Sequence, residues 1–256
     1  MRIFVLLVLG LAVATAAPSE PSRIIGGSVT SIDKYPFKAA MLFSFFGEEP
    51  FVLACGGIII NNRAILSAAH CYFRLIFMQF RARVGSPYHQ SGGMVHEISR
   101  ISNNREYEPF TFDSDVSVLH VSSPFVYNNN VSPAAIAGPN YIFGDNQAVW
   151  AMGWGQTTPD GSNSPVLRDV QLWTVNQGEC IRRYSELGRE VTDNMFCAGW
   201  LDVGGRDQCR GDSGGAVLHN NVVIGITSWG EGCGHERYPG VNVRVSRFTS
   251  WIVDQA

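Results

Sequence analysis

Lysine is almost missing from this chain of 256 residues: Lys34 and Lys38 stand against seventeen arginines. Guanidinium keeps its charge at pH values where ammonium loses it, so the composition suits an alkaline medium. Charge of either sign is sparse, at 16% of residues, and the net charge is −3. There is no Lys/Arg-rich patch, which argues against nucleic acid as a partner. No two cysteines lie two to four residues apart, the usual spacing of structural zinc ligands, so no metal is expected of them. After residue 17 there is no run of eighteen apolar residues, which argues against a membrane span. Long stretches of helical period are scarce as well, which excludes a bundle or a coiled coil.

What is present is a foldable chain, 45% hydrophobic, of a length that suits one large domain or two small ones. Residues 1–17, MRIFVLLVLGLAVATAA, have one early arginine, an apolar run from Ile3 to Ala14 and a small-residue end. That is the pattern of a secretory signal, cut after Ala16 or Ala17, and it implies a secreted protein in a disulfide-permissive compartment. The polar segment 18–23, PSEPSR, reads as a short linker ending in a basic residue. Six cysteines then favour three disulfides, with 15 pairings open to the sequence alone.

The rest of the chain is divided into short apolar segments. FKAAMLF (37–43), GIIINNRAILSAA (57–69), QAVWAMGW (147–154), AVLHNNVVIGITSWG (216–230) and GVNVRV (240–245) are separated by Asn-, Gly- and Pro-containing turns. LHNNVVI reads as a hairpin, and the whole as an all-β barrel or sandwich. The Ser/Pro/Asn/Gly-rich zone 122–146 reads as a crossing between two β units. Val245, Phe248, Trp251 and Ile252 share one face of a helix over 245–256, and 175–186 reads as a second short helix.

Four motifs occur in order. RIIGG (23–27) precedes the globular part, LSAAHC (66–71) contains His70, DSDVSVL (113–119) contains Asp115, and GDSGGA (211–216) centres on Ser213. Together they resemble the trypsin/chymotrypsin family of serine proteases over nearly the whole chain from Arg23. DNQAVWAMGWG, TDNMFCAGW and RVSRFTSWI look most like the secreted midgut trypsins of moths and butterflies. The resemblance implies two packed six-stranded antiparallel β-barrels with a C-terminal helix. The barrels would fall at about 24–125 and 140–244 and the helix at 245–256, after a signal peptide (1–17) and an activation propeptide (18–23).

It also implies the chemistry. A serine hydroxyl is a weak nucleophile without an adjacent base. His70 would take the proton of Ser213 and later return it to the leaving amine, with Asp115 fixing the imidazole, as is established for triad proteases. The N–H groups of Gly211 and Ser213 would form the oxyanion hole. Asp207 would be the floor of the specificity pocket and would select Arg or Lys, while Gly230 and Gly240 keep the walls small. Ser228, Trp229 and Gly230 would bind substrate as an added strand. Cleavage after Arg23 would free the α-amine of Ile24 to pair with Asp212. The implied disulfides are Cys55–Cys71, Cys180–Cys197 and Cys209–Cys233.

No cofactor is implied. The family's optional calcium loop would lie near 82–93, where the chain offers no Asp or Glu. The partners implied are protein or peptide substrates with Arg or Lys at the cleaved position and protein protease inhibitors, met by a monomer. The chain departs from the family pattern at Ile25, at Ala216 in place of proline, and at Gln208, Arg210 and Asn242 around the pocket. It also reads DSD at Asp115, and carries one sequon at Asn130 followed closely by a proline. These departures bear on substrate preference and rate and remove no triad member. The reading is a secreted digestive endopeptidase with an optimum at about pH 8–10, where the base is neutral. Its rivals are a same-fold processing protease with a narrow role and an inactive binding homologue.

Overall fold

The computed structural model describes residues 25–75, 77–158 and 160–256. The expected signal peptide and propeptide, with Arg23 and Ile24, lie outside the described residues.

A two-residue strand, β1 (Ser28–Val29), leads into six longer strands: β2 (Lys38–Phe45), β3 (Val52–Ile59), β4 (Ala64–Ser67), β5 (Met78–Val84), β6 (Met94–Asn103) and β7 (Ser117–Val121). β2 to β7 close into an antiparallel barrel in the order β2-β3-β4-β7-β6-β5. After the crossing, in which only β8 (Ala135–Ile136) is a strand, come β9 (Ala148–Gly153), β10 (Arg168–Thr174), α1 (Gln177–Ser185), β11 (Met195–Gly199), β12 (Ala216–His219), β13 (Val222–Trp229) and β14 (Gly240–Arg244). The path β10-β11-β14-β13-β12-β9 returns to β10 and forms the second six-stranded barrel, with β1 added at β10 and β8 added parallel to β13. The architecture is the double barrel that the resemblance implied.

Local chemistry explains the elements. The β12–β13 hairpin turns at Asn220 and Asn221, whose φ values are 50° and 61°. A two-residue hairpin of the primed type needs left-handed backbone at both positions, and asparagine tolerates it well. In α1 the Asn176 side chain caps the helix by accepting the Glu179 N–H at 3.1 Å. The C-terminal helix is shorter than the apolar spacing predicts. A 3₁₀ turn at Val245–Arg247 comes first, Phe248 breaks the helix at φ −115°, and α2 runs from Thr249 to Gln255. Val245, Phe248 and Ile252 are buried all the same, because a 3₁₀ turn followed by an α-helix still puts them on one side. The cysteines pair as Cys55–Cys71, Cys180–Cys197 and Cys209–Cys233.

The loop after β5 is held from within. Arg83 donates from Nε to the His89 carbonyl at 3.1 Å and from Nη1 to the Gly92 carbonyl at 2.5 Å, while Ser86 Oγ donates to the Ser91 carbonyl at 2.7 Å. One guanidinium thus gathers two carbonyls of the loop. Arg83→Gln is expected to lower stability by about 1 kcal/mol and the melting temperature by ~2–4 °C, measured by scanning calorimetry.

Two contacts lock the barrels together around the coming site. Asp113 accepts from Asn194 Nδ2 at 3.0 Å and from the Thr192 hydroxyl, across the interface. The Gly56 N–H on β3 donates to the Ser213 carbonyl at 2.7 Å.

Candidate active site

His70 sits in a 3₁₀ turn, Ala69–Cys71, that follows β4 and is tied back to β3 by Cys55–Cys71. Asp115 precedes β7, the neighbour of β4, so barrel pairing brings the two side chains together. The backbone N–H of His70 donates to Asp115 Oδ1 at 2.7 Å, and Nδ1 lies 2.7 Å from Oδ2. Asp115 is fully buried, so its carboxylate depends on these partners. A third partner of Asp115 belongs to no sequence motif. Ser228 Oγ donates to Asp115 Oδ2 at 2.5 Å from the second barrel. Ser228 therefore has a side-chain contact with the aspartate as well as a place on β13.

Phe112, at φ 60°, sets its ring edge-on to His70 with centroids 5.6 Å apart. The left-handed backbone here and at Ser114 (φ 56°) is a strained local turn, anchored across the barrels by Asp113.

Ser213 faces the same cleft, which has a volume of about 490 Å³ and is lined by His70, Ser213, Asp207, Trp229, Gly230 and Gly240 among others. No hydrogen bond joins Ser213 Oγ to His70 here, and such contacts in substrate-free sites tighten when substrate binds. The turn around the serine is closed by Asp212 N–H to the Cys209 carbonyl, Gly214 N–H to the Thr227 carbonyl and Gly215 N–H to the Asp212 carbonyl, each 2.8–2.9 Å. Among the described residues the N–H groups of Gly211 and Ser213 have no partner. Gly211 needs to be glycine, because its φ is +93° and a Cβ would meet the Asn163 side chain and the Gly155 backbone.

Asp212 is buried and accepts the Gly155 N–H at 2.8 Å and the Cys209 N–H at 2.9 Å. Asp207, a buried lining residue of the cleft, accepts the Gln208 N–H and the Gly234 N–H, both at 2.9 Å. Burial pushes its carboxyl up to about 7, against the pull of those two N–H groups. A Cβ on Gly240 would come within 2.9 Å of Asp207 Oδ1, so any side chain there would cover the acid. A Cβ on Gly230 would make only ordinary van der Waals contacts, the nearest at 3.7 Å to Gly240 Cα.

Behind the pocket lies a polar set whose contacts the sequence did not reveal. Gln208 Nε2 donates to Asn242 Oδ1 at 2.7 Å, and Thr227 Oγ1 donates to Gln208 Oε1 at 3.0 Å. Gln208 and Asn242 are two of the departures from the family pattern, and here each satisfies the other. Arg210 lines the rim, and Arg189 stacks over the Trp229 ring at 4.7 Å from its centroid. Cys55, His70 and Cys71 lie close enough together to suggest a metal site, but both sulfurs are in the disulfide and neither is a thiolate.

A histidine oriented by a buried aspartate on one barrel faces a serine turn and an acid-floored pocket on the other, and that arrangement defines a double-barrel serine peptidase. The family model described as Trypsin matches residues 24–252. The chain is 54% identical over 253 residues to "Trypsin, alkaline B" of Manduca sexta, covering 98% of both chains. It is 51% identical over 253 residues to "Trypsin CFT-1" of Choristoneura fumiferana, again covering 98% of both. With "Vitellin-degrading protease" of Bombyx mori the identity is 31% over 245 residues, 94% of this chain and 90% of that one. This chain belongs to the trypsin family, and it is a serine endopeptidase that cleaves after Arg or Lys.

Proposed function

We propose that the protein is a secreted, digestive, alkaline-working member, in which Ser213 is the nucleophile, His70 the base, Asp115 its orienting acid, and the Gly211 and Ser213 N–H groups the oxyanion hole. The observation that carries the site assignment is the convergence of His70, Ser213 and Asp207 on one cleft. Substrate lies along Ser228–Trp229–Gly230, with its arginine or lysine on Asp207 between Gly230 and Gly240. The attack forms an acyl-enzyme on Ser213 Oγ and expels the amine, which takes the proton held by His70; water then enters by the reverse proton path.

Residues 1–17 serve as the signal and 18–23 as the propeptide. Cleavage after Arg23 starts the mature chain at Ile24, whose ammonium pairs with Asp212. The mature enzyme acts as a monomer and meets protein inhibitors in the same cleft. The digestive role rests on the likeness to relatives named as alkaline trypsins, and the 31% likeness to a vitellin-degrading protease gives the narrower processing role less support.

The test is a pH profile on matched arginine and uncharged peptide substrates, using enzyme whose N-terminus has been sequenced. Below about pH 7 Asp207 takes up a proton and loses its attraction for guanidinium. KM for the arginine substrate is therefore expected to rise as pH falls through that value, with no matching rise for the uncharged one. Active enzyme should begin at Ile24, and activity should peak at about pH 8–10. An active species still carrying residues 18–23, or a maximum below neutrality, would overturn the reading.

A further inference from the structure

Asp207 is held between two loops. Residues 200–206 lead into it, and residues 231–239 supply the Gly234 N–H that its Oδ2 accepts at 2.9 Å. Gly232 and Cys233 of the second loop line the cleft. Both loops carry left-handed backbone, at Asp202, Gly204 and Gly205 in the first and at Gly232 and Gly234 in the second. Glycine gives up more conformational freedom on ordering than any other residue, so segments built this way keep one shape only when they are tied.

The loops meet backbone to backbone. Asp202 N–H donates to the Glu236 carbonyl at 2.8 Å, and Gly205 N–H to the Gly234 carbonyl at 2.9 Å. A Cβ on Gly204 would come within 2.9 Å of the Gly234 carbonyl oxygen. A side chain from outside the pocket closes the same seam. Arg183, on α1, is buried, and its guanidinium forks onto Asp202, Nη1 to Oδ1 at 2.8 Å and Nη2 to Oδ2 at 3.1 Å. Nη1 also donates to the Arg237 carbonyl, on the second loop, at 3.3 Å. Nε donates to Glu179 Oε1 at 2.6 Å, one helical turn back, which anchors the fork to α1.

The neighbouring Arg182 is a useful contrast. It is exposed and pairs with Glu179 at 2.7 Å and with Glu186 at 2.9 Å, both within or just past the same helix. Its guanidinium bonds to neither loop among the described residues.

We propose that Arg183 is a positioning residue for arginine recognition: by joining Asp202 to the Arg237 carbonyl it holds the two loops at the separation that keeps the Gly234 N–H on Asp207, and so fixes where the carboxylate of the pocket points. This rests on the reading that Asp207 receives the cation of the substrate. The physical reason is the guanidinium's rigid planar fork, which can grip a carboxylate with one edge and still donate to a carbonyl. The Asp202 carboxylate at the other end is exposed, and ion pairs with an exposed partner add little to global stability. A misplacement of about 1 Å in a group that orients substrate can cost about 10²-fold in rate. The effect of the clamp therefore falls on recognition more than on folding.

The experiment compares Arg183→Gln with Arg182→Gln, which removes the same charge from the same helix and leaves the bonds to both loops in place. Asp202→Asn breaks the fork from the loop side, and asparagine accepts the left-handed backbone there (φ 62°), so this variant serves should Arg183→Gln fail to fold. Each is assayed for KM and kcat on an arginine peptide and for the acylation burst with 4-nitrophenyl acetate, whose acetyl group needs no pocket. Arg183→Gln and Asp202→Asn are expected to lose roughly 10–100-fold in kcat/KM on the arginine peptide, mostly through KM, with the burst within about twofold of wild type. Arg182→Gln should match wild type in both assays. Arg183→Lys keeps the charge without the fork and should leave most of the loss in place. Values for Arg183→Gln and Asp202→Asn like those of Arg182→Gln, full recovery in Arg183→Lys, or an equal loss of burst and of arginine cleavage each overturn the clamp. Asp207→Ser is run beside them. Undiminished arginine cleavage in that variant overturns the reading of Asp207 and the clamp with it, while a loss there with none in Arg183→Gln overturns the clamp alone.

Discussion

Ser213→Ala is expected to lower kcat by about six orders of magnitude, the loss typical when a triad nucleophile is removed. The fold should be almost untouched, because the structural bond at this residue belongs to its backbone. The Ser213 carbonyl holds the Gly56 N–H at 2.7 Å, and alanine keeps that carbonyl. Alanine also keeps the Gly211 and Ser213 N–H groups proposed as the oxyanion hole, so a residual rate above that of water should survive. Pre-steady-state burst kinetics on an activated ester, with calorimetry on the same sample, checks both halves. A variant with near-normal kcat would remove Ser213 from the chemistry.

Asp207→Ser should cost arginine substrates roughly 10²–10⁴-fold in kcat/KM, from about 3–5 kcal/mol for a guanidinium buried without its carboxylate. The acid is almost fully enclosed and its bonds to the Gln208 and Gly234 N–H groups fix where it points, so a shorter hydroxyl cannot replace it. Substrates with a bulky apolar residue at the cleaved position should lose far less, because they make no ion pair with Asp207 to lose. Parallel kcat/KM values for Arg, Lys and Phe substrates give the answer, and undiminished cutting after arginine would end the assignment of Asp207.

The all-β class was legible because the strands are short, apolar and set off by turn residues, and the double barrel was implied only by the resemblance that the local site motifs carry. GDSGGA must keep its glycines and acids together, since the turn that presents Ser213 is made by those residues' own backbone. Contacts that depend on the closing of the barrels left no such trace. Ser228 reaches Asp115 across 113 residues, and Gln208 reaches Asn242 across 34. Neither pair has a spacing or period that a chain read end to end could reveal. Lys38 shows the same limit from the other direction. In the sequence it is one of two lysines, and only the packing of β2 buries its ammonium against the backbone of Gly56 and Gly215. The helix start misjudged at Val245 has a simpler cause, since a 3₁₀ turn and an α-helix can bury the same apolar positions.

The loop gathered by Arg83 has a thermodynamic consequence. A ligand that binds a folded protein stabilises it only in proportion to how far its free concentration exceeds its dissociation constant, and dilution or a competing chelator withdraws the benefit. The Arg83 guanidinium is covalently part of the chain, so its effective concentration at the His89 and Gly92 carbonyls does not change with the medium. The order of this loop is therefore set when the chain is made and is independent of what dissolves around it.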